Sequence, residues 1–136
     1  MSQNQDEQFA LIRASFNGHT KSVKILIDKQ ANLDLQDECG NTALIWACIN
    51  NYREITKMLL TPKSGMGANP KLQNNFGWTA LMWVCCHHNN IEIVKILIDK
   101  GANIGLQHKD KRTALMLLCR YPYHIESVAL ILEHMD

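Results

Sequence analysis

Long apolar stretches are missing from this 136-residue chain: runs such as Ile96-Leu97-Ile98 fall far short of the about 20 residues a membrane-spanning helix needs. The start, Met1-Ser2-Gln3-Asn4-Gln5-Asp6, lacks the charged-then-apolar order of a secretory leader. Concentrated positive charge is missing too. No Lys/Arg run exceeds two residues and the net charge is +1, which argues against nucleic acid or an anionic membrane surface as partner, since both demand a basic patch. There is no Gly-rich phosphate loop, no nucleophile elbow, no paired acids in a recognisable setting and no Cys-x-x-Cys. These absences leave no reaction to assign, and no cofactor or enzyme activity is expected. The chain reads as cytosolic, or as delivered into a host cell if it comes from a pathogen.

What remains is ordinary for one folded domain: 46% apolar and 20% charged residues. The order within it is periodic. Gly77-Trp78-Thr79-Ala80-Leu81-Met82-Trp83-Val84-Cys85 recurs upstream as Gly40-Asn41-Thr42-Ala43-Leu44-Ile45-Trp46-Ala47-Cys48 and downstream as Thr113-Ala114-Leu115-Met116-Leu117-Leu118-Cys119. Each copy continues, after a polar break, into an apolar run of helical spacing that ends before an Ala-Asn pair, at Ala31-Asn32, Ala68-Asn69 and Ala102-Asn103. That spacing is close to a repeat of roughly 33 residues, and about four such units are enough to bury a shared core.

The pattern Asp37-x-x-Gly40-x-Thr42-Ala43-Leu44-x-x-Ala47, followed by Ile55, Leu59 and Leu60 and closed by Gly101-Ala102-Asn103, resembles the ankyrin repeat over nearly the whole chain. The resemblance implies an all-α solenoid of helix-turn-helix units joined by β-hairpin-like loops. The boundaries fall near 5–36, 37–73, 74–107 and 108–136. Two departures stand out. Where the family commonly has Thr-Pro-Leu-His, this chain has Thr-Ala-Leu followed by Ile45, Met82 or Met116, so packing must replace a hydrogen bond from that histidine. The first unit is degenerate, with Phe9 at the Thr position, although Gly18-His19 matches the family's turn.

In the first unit Phe9 to Ser15 and Ser22 to Asp28 read as helices, with Val23, Leu26 and Ile27 inward. In the second, Thr42 is the expected N-cap of a helix from Ala43 to about Asn50, and Arg53 to Leu60 is its partner. Thr61-Pro62-Lys63-Ser64-Gly65-Met66-Gly67 is longer than its counterpart Asp28-Lys29-Gln30 and is expected to form a flexible surface loop. Units three and four each hold one more residue between their helices than unit two, so the turns there should bulge. In unit four this length holds Tyr121-Pro122-Tyr123, an aromatic turn expected near the surface, before a last helix from Ile125 to Glu133.

Five cysteines is an odd number, and three of them, Cys48, Cys85 and Cys119, share one repeat position. The resemblance places a small core residue there. Units stack roughly 10 Å apart, beyond disulfide reach, so all three are expected as reduced core thiols. Cys85-Cys86-His87-His88 offers zinc-type ligands, but four consecutive side chains cannot all turn toward one tetrahedral ion. Nor do neighbours set about 100° apart on a helix make a cysteine-histidine dyad. No metal is expected. Trp46 and Trp83, at matching positions, are expected in the core, where truncation to Ala should cost on the order of 3 to 5 kcal/mol. Lys24, Asp28, Glu54, Lys57, Glu92, Lys95 and Asp99 suit a solvated outer face with weak pairs such as Lys24 to Asp28.

Phe76 and Trp78 flank Gly77 at a hairpin tip, off the helical apolar stripe; the same places hold Cys39 and Asn41 in unit two and Asp110 and Arg112 in unit four. In the family such positions vary and grip partners. That Phe76 and Trp78 pack on neighbouring hairpins instead stays open. The expected function is a protein-binding module, a monomer on its own, that displays a concave surface to another protein. Glu38, Cys39, Asn41, Ile49, Asn50, Asn75, Phe76, Trp78, Cys86, His87, Asp110 and Arg112 form that surface, with Phe76 and Trp78 as anchors. The alternatives are a stoichiometric inhibitor of a partner enzyme, or the targeting domain of a larger protein.

Overall fold

The computed structural model describes residues 3–63, 65–88 and 90–135, with side chains described from Phe9 onward except at His88. The helices come in pairs: α1 (Gln3–Asn17) with α2 (Thr20–Asp28), α3 (Ala43–Ile49) with α4 (Arg53–Leu60), α5 (Ala80–Trp83) with α6 (Ile91–Asp99), and α7 (Ala114–Leu118) with α8 (Ile125–Glu133). First helices touch first helices along the chain, and second helices touch second helices, so the pairs form two parallel rows. Among the described residues there is no strand; the loops between pairs are held by turns.

The local causes repeat with the sequence. Thr42, Thr79 and Thr113 stand in extended backbone before α3, α5 and α7, and their hydroxyls accept from Ile45, Met82 and Met116 N–H at 3.1, 3.2 and 3.3 Å. Each cap satisfies a donor that the helix start would leave unpaired. The Ala-Asn pairs also act alike. Asn32, Asn69 and Asn103 accept through Oδ1 from the N–H two residues on, each at 2.9 Å, folding the chain into the same Asx turn.

Core columns follow the same phase. Leu11, Leu44 and Leu81 are buried along the first row, and Leu59, Leu97 and Ile131 along the second. Each such side chain contributes roughly 1.5–3 kcal/mol on leaving water. The columns that face the next pair change at the last one. Ile45 and Met82 are 1% exposed but the matching Met116 is 55% exposed, and Leu60 at 1% and Ile98 at 8% are matched by Leu132 at 51%. Among the described residues nothing stacks on that side of the fourth pair.

Several expectations change here. Cys48 and Cys85 are buried as free thiols, whereas Cys119 is exposed, because its column faces the side of α7 on which no further helix pair packs among the described residues. The first helix begins at Gln3, ahead of the Phe9 the sequence suggests. The extra residue of unit three sits in the helix rather than the turn: α5 widens into a π-helix at Val84–His88. Thr79 and Cys85 keep the separation of Thr42 and Cys48, so the surplus lies beyond the core thiol, where the backbone loosens to i→i+5 bonding. In unit four the surplus lies in the turn after Leu118, where Tyr121 and Tyr123 are exposed and their rings stack at 5.7 Å. The ion pair among the described residues is not a Lys24–Asp28 pair within one helix but Lys57–Glu92 at 2.8 Å, joining α4 to α6. It holds the exposed Glu92 carboxyl below the usual carboxylate range, chiefly through the hydrogen bond from Lys57.

Candidate protein-interaction surface

Three loops, 37–41, 74–78 and 108–112, share one construction. The first residue's N–H donates to the fifth residue's carbonyl, at 2.9, 2.9 and 3.2 Å, and the fourth residue's N–H returns to the first carbonyl, at 2.9, 2.9 and 2.8 Å. The fourth residue then needs positive φ, met at Gly40 (80°), Gly77 (82°) and Lys111 (67°). The first side chain fills the turn by accepting backbone N–H groups: Asp37 Oδ1 from Cys39 and Asn41, Asn74 Oδ1 from Phe76 and Trp78, His108 Nδ1 from Asp110.

The tips are bonded to one another. Asn75 N–H donates to the Cys39 carbonyl and Lys109 N–H to the Phe76 carbonyl, each at 2.9 Å. Gln36 bridges the Gly40 and Gln73 carbonyls, and Gln73 repeats the bridge to Gly77 and Gln107. Approach is close enough that a Cβ on Gly40 would lie 2.6 Å from Asn75 Oδ1. The product is a ridge whose rungs are fixed by backbone and by amide side chains, Asn75 Nδ2 also donating to the Glu38 carbonyl at 2.8 Å.

Glu38, Cys39, Asn75, Phe76, Asp110 and Arg112 are exposed on this ridge. Phe76 is 58% exposed, with Lys109 Nζ 5.4 Å from its ring centroid. Asn41 does not belong with them: it is 6% exposed and its Oδ1 accepts from Asn74 Nδ2 at 2.9 Å, so it bonds two tips together and offers nothing to a partner. Trp78 is half-buried. Its ring lies 4.8 Å from His108 and 4.4 Å from Trp83, and Trp83 in turn stacks on His87 at 5.2 Å. Trp78 is thus a rung in a ladder of four rings, while Phe76 projects.

Behind the tips, Ile49 and Asn50 end α3 half-exposed, with Asn50 Nδ2 donating to the Phe16 carbonyl at 3.1 Å. Cys86 is half-buried and His87 exposed on the π-helix, whereas Cys85 points into the core. No three His, Cys, Asp or Glu side chains converge on one point among the described residues. Burial pushes the Cys48 thiol up to about 12, and burial with the neighbouring Cys86 raises Cys85 further, so neither carries a thiolate near neutral pH.

Lys109 and Lys111, exposed on the third tip, and the turn-fillers Asn74 and His108 escaped the sequence reading. Aligning the loops as a column, Asp37 with Asn74 with His108, is the signal that finds the fillers. A cleft of about 830 Å3, lined by Ile27, Leu60, Met66 and Lys71 among others, is formed by a different part of the chain.

With this geometry in view, comparison with known proteins decides the family. A description of ankyrin repeats in three copies matches residues 1–68 and again 63–136. The chain belongs to the ankyrin repeat family. Ankyrin repeats are protein-interaction modules and in general non-catalytic. A 47-residue stretch of this ankyrin chain is 38% identical to part of a probable E3 ubiquitin-protein ligase from Oryza sativa subsp. japonica, covering 35% of the chain and 9% of that relative's length. Among the described residues no helix is long and apolar enough to cross a membrane.

Proposed function

We propose that the ridge of loop tips, together with the C-terminal ends of α3 and the π-helix, is a binding surface for another polypeptide and that the chain performs no bond chemistry. The observation that carries this reading is the division of labour at the tips: buried Asn41, Asn74 and His108 hold the turns, and among the described residues exposed Glu38, Phe76, Asp110 and Arg112 make no bond through their side-chain polar atoms or rings beyond the Lys109–Phe76 contact. An exposed aromatic on a rigid support is a residue type enriched in interface cores. A reducing, cytoplasmic setting suits the free thiols at Cys48 and Cys85.

Affinity capture with the purified chain tests this. A protein held by the wild type and by the outer-face variant Lys24→Glu/Lys95→Glu, but lost by Phe76→Ser/Arg112→Glu at unchanged melting temperature, is the expected result. Retention by the tip variant would move the site elsewhere.

A second reading, a targeting segment within a larger protein, is favoured by the relative noted above, in which the similar stretch is a small fraction of a probable ligase. It predicts an endogenous protein much larger than 15.5 kDa on an immunoblot raised against this chain.

A further inference from the structure

The three tips differ in one ordered way. At their second position stand Glu38, Asn75 and Lys109; at the fourth Gly40, Gly77 and Lys111; at the fifth Asn41, Trp78 and Arg112. The first tip carries only acids, Asp37 and Glu38, and Asp37 is occupied by bonds from Cys39, Asn41 and Trp46. The second tip is uncharged. The third carries three cations against the single carboxylate of Asp110. Among the described residues the salt bridge is Lys57–Glu92, and none joins the cations of the third tip to a carboxylate. Lys111 adds to the contrast. It holds φ 67°, where the other tips use glycine, and a side chain fits there because no fourth tip stacks beyond it among the described residues; at Gly77 a Cβ would lie 2.8 Å from His108 Cα.

We infer that the ridge is a charge-ordered docking strip for an extended polypeptide segment that places carboxylates against Lys109, Lys111 and Arg112, an apolar side chain on Phe76, and a basic side chain near Glu38. This rests on the protein-binding reading above and adds the partner's composition and direction. Two repeat steps at the 8–10 Å spacing of packed helices amount to about 20 Å. An extended chain covers that in about six residues at ~3.3 Å each. The acidic and basic ends of the segment are therefore about six residues apart. A nucleic-acid strand fits worse, because its phosphates would run from the cations straight onto Glu38. The opposed fields at the two ends fix which way the segment lies, since the reversed orientation sets like charges together at both.

Random 12-residue peptides displayed on phage and selected on the purified chain, then synthesised and titrated by fluorescence anisotropy, test the inference. The expected peptides carry Asp or Glu on one side of an apolar residue and Lys or Arg about six positions from the acids. Lys109→Glu/Arg112→Glu should weaken them at least tenfold with an unchanged circular dichroism spectrum. Peptides with acids and bases exchanged should bind the variant Glu38→Lys/Lys109→Glu/Arg112→Glu instead. Peptides lost on Phe76→Ser yet indifferent to Lys109→Glu/Arg112→Glu, or without charge order, would overturn the inference and leave the binding reading standing. Peptides indifferent to every tip variant, or none selected at all, would overturn both.

Discussion

The indole N–H of Trp46 donates to Asp37 Oδ2 at 2.8 Å, clamping the first helix of repeat two to its own loop tip. Trp83, at the same position of repeat three, has a buried indole N–H without a partner among the described residues. The difference traces to the tip: Asn74 replaces Asp37 and turns its amide nitrogen to Asn41. Trp46→Phe should therefore cost about 1–2 kcal/mol more than Trp83→Phe, the worth of a part-buried bond to a charged acceptor. Equilibrium urea unfolding of the two variants measures it; equal losses would mean the clamp contributes nothing.

Asn74, like Asp37, makes three side-chain bonds at its tip, accepting from Phe76 and Trp78 N–H and donating to Asn41. Asn74→Ala leaves the buried Asn41 amide oxygen and two part-buried N–H groups unpaired and should lower stability by about 2–3 kcal/mol. It should also weaken any partner held at Phe76, since the loop that presents that ring loses its support. A shifted urea midpoint with unchanged slope is the expected readout.

Thiol reactivity separates the cysteines by burial. Cys39 and Cys119 are exposed and should react with an aromatic disulfide reagent in the native state, whereas Cys48 and Cys85 should react only on unfolding. The same burial makes stability depend on pH. Cys48 is raised from an ordinary 9.0 to about 12, so the unfolded chain gives up that proton first. Its contribution is complete below pH 9 and is lost as pH climbs toward 12. Cys48→Ala, measured against wild type from pH 7 to 11, should flatten that fall.

Glycine and lysine at the fourth tip position give opposite expectations. Lys111→Gly relieves a left-handed side-chain residue and should raise stability by about 0.5–1 kcal/mol. Gly77→Ala places a Cβ 2.8 Å from His108 Cα at φ 82° and should lower it by more than 1 kcal/mol. Thermal melts of both variants check the sign. The charge-ordered strip further requires that Lys111→Gly weaken acidic peptides while making the fold more stable.

The repeat phase was legible because the same residue types recur wherever the same contact recurs. The capping threonines 42, 79 and 113, the leucine columns and the helix from Ile125 to Glu133 could all be read from order alone. What failed depended on neighbours a single repeat does not contain. Cys119 shares its letter with Cys48 and Cys85 but is exposed, with no helix pair packed beyond it among the described residues. Asn41 looked like a surface residue because its partner Asn74 lies one repeat away. The surplus residue of repeat three could be counted but not located, since bulging the turn and widening the helix satisfy the same count; the Trp83–His87 stack lies within the widened turn. At the tips the residue types were visible, and their exposure was not: Phe76 and Trp78 look alike in sequence and differ because Trp78 lies between Trp83 and His108.

The most direct measurement is a titration of the isotopically labelled 15.5 kDa chain with a captured partner or a selected peptide, followed by amide chemical shifts. Presentation by the ridge predicts that the largest changes fall at Glu38, Cys39, Asn75, Phe76, Asp110 and Arg112. Changes confined to α2, α4, α6 and α8 would contradict it.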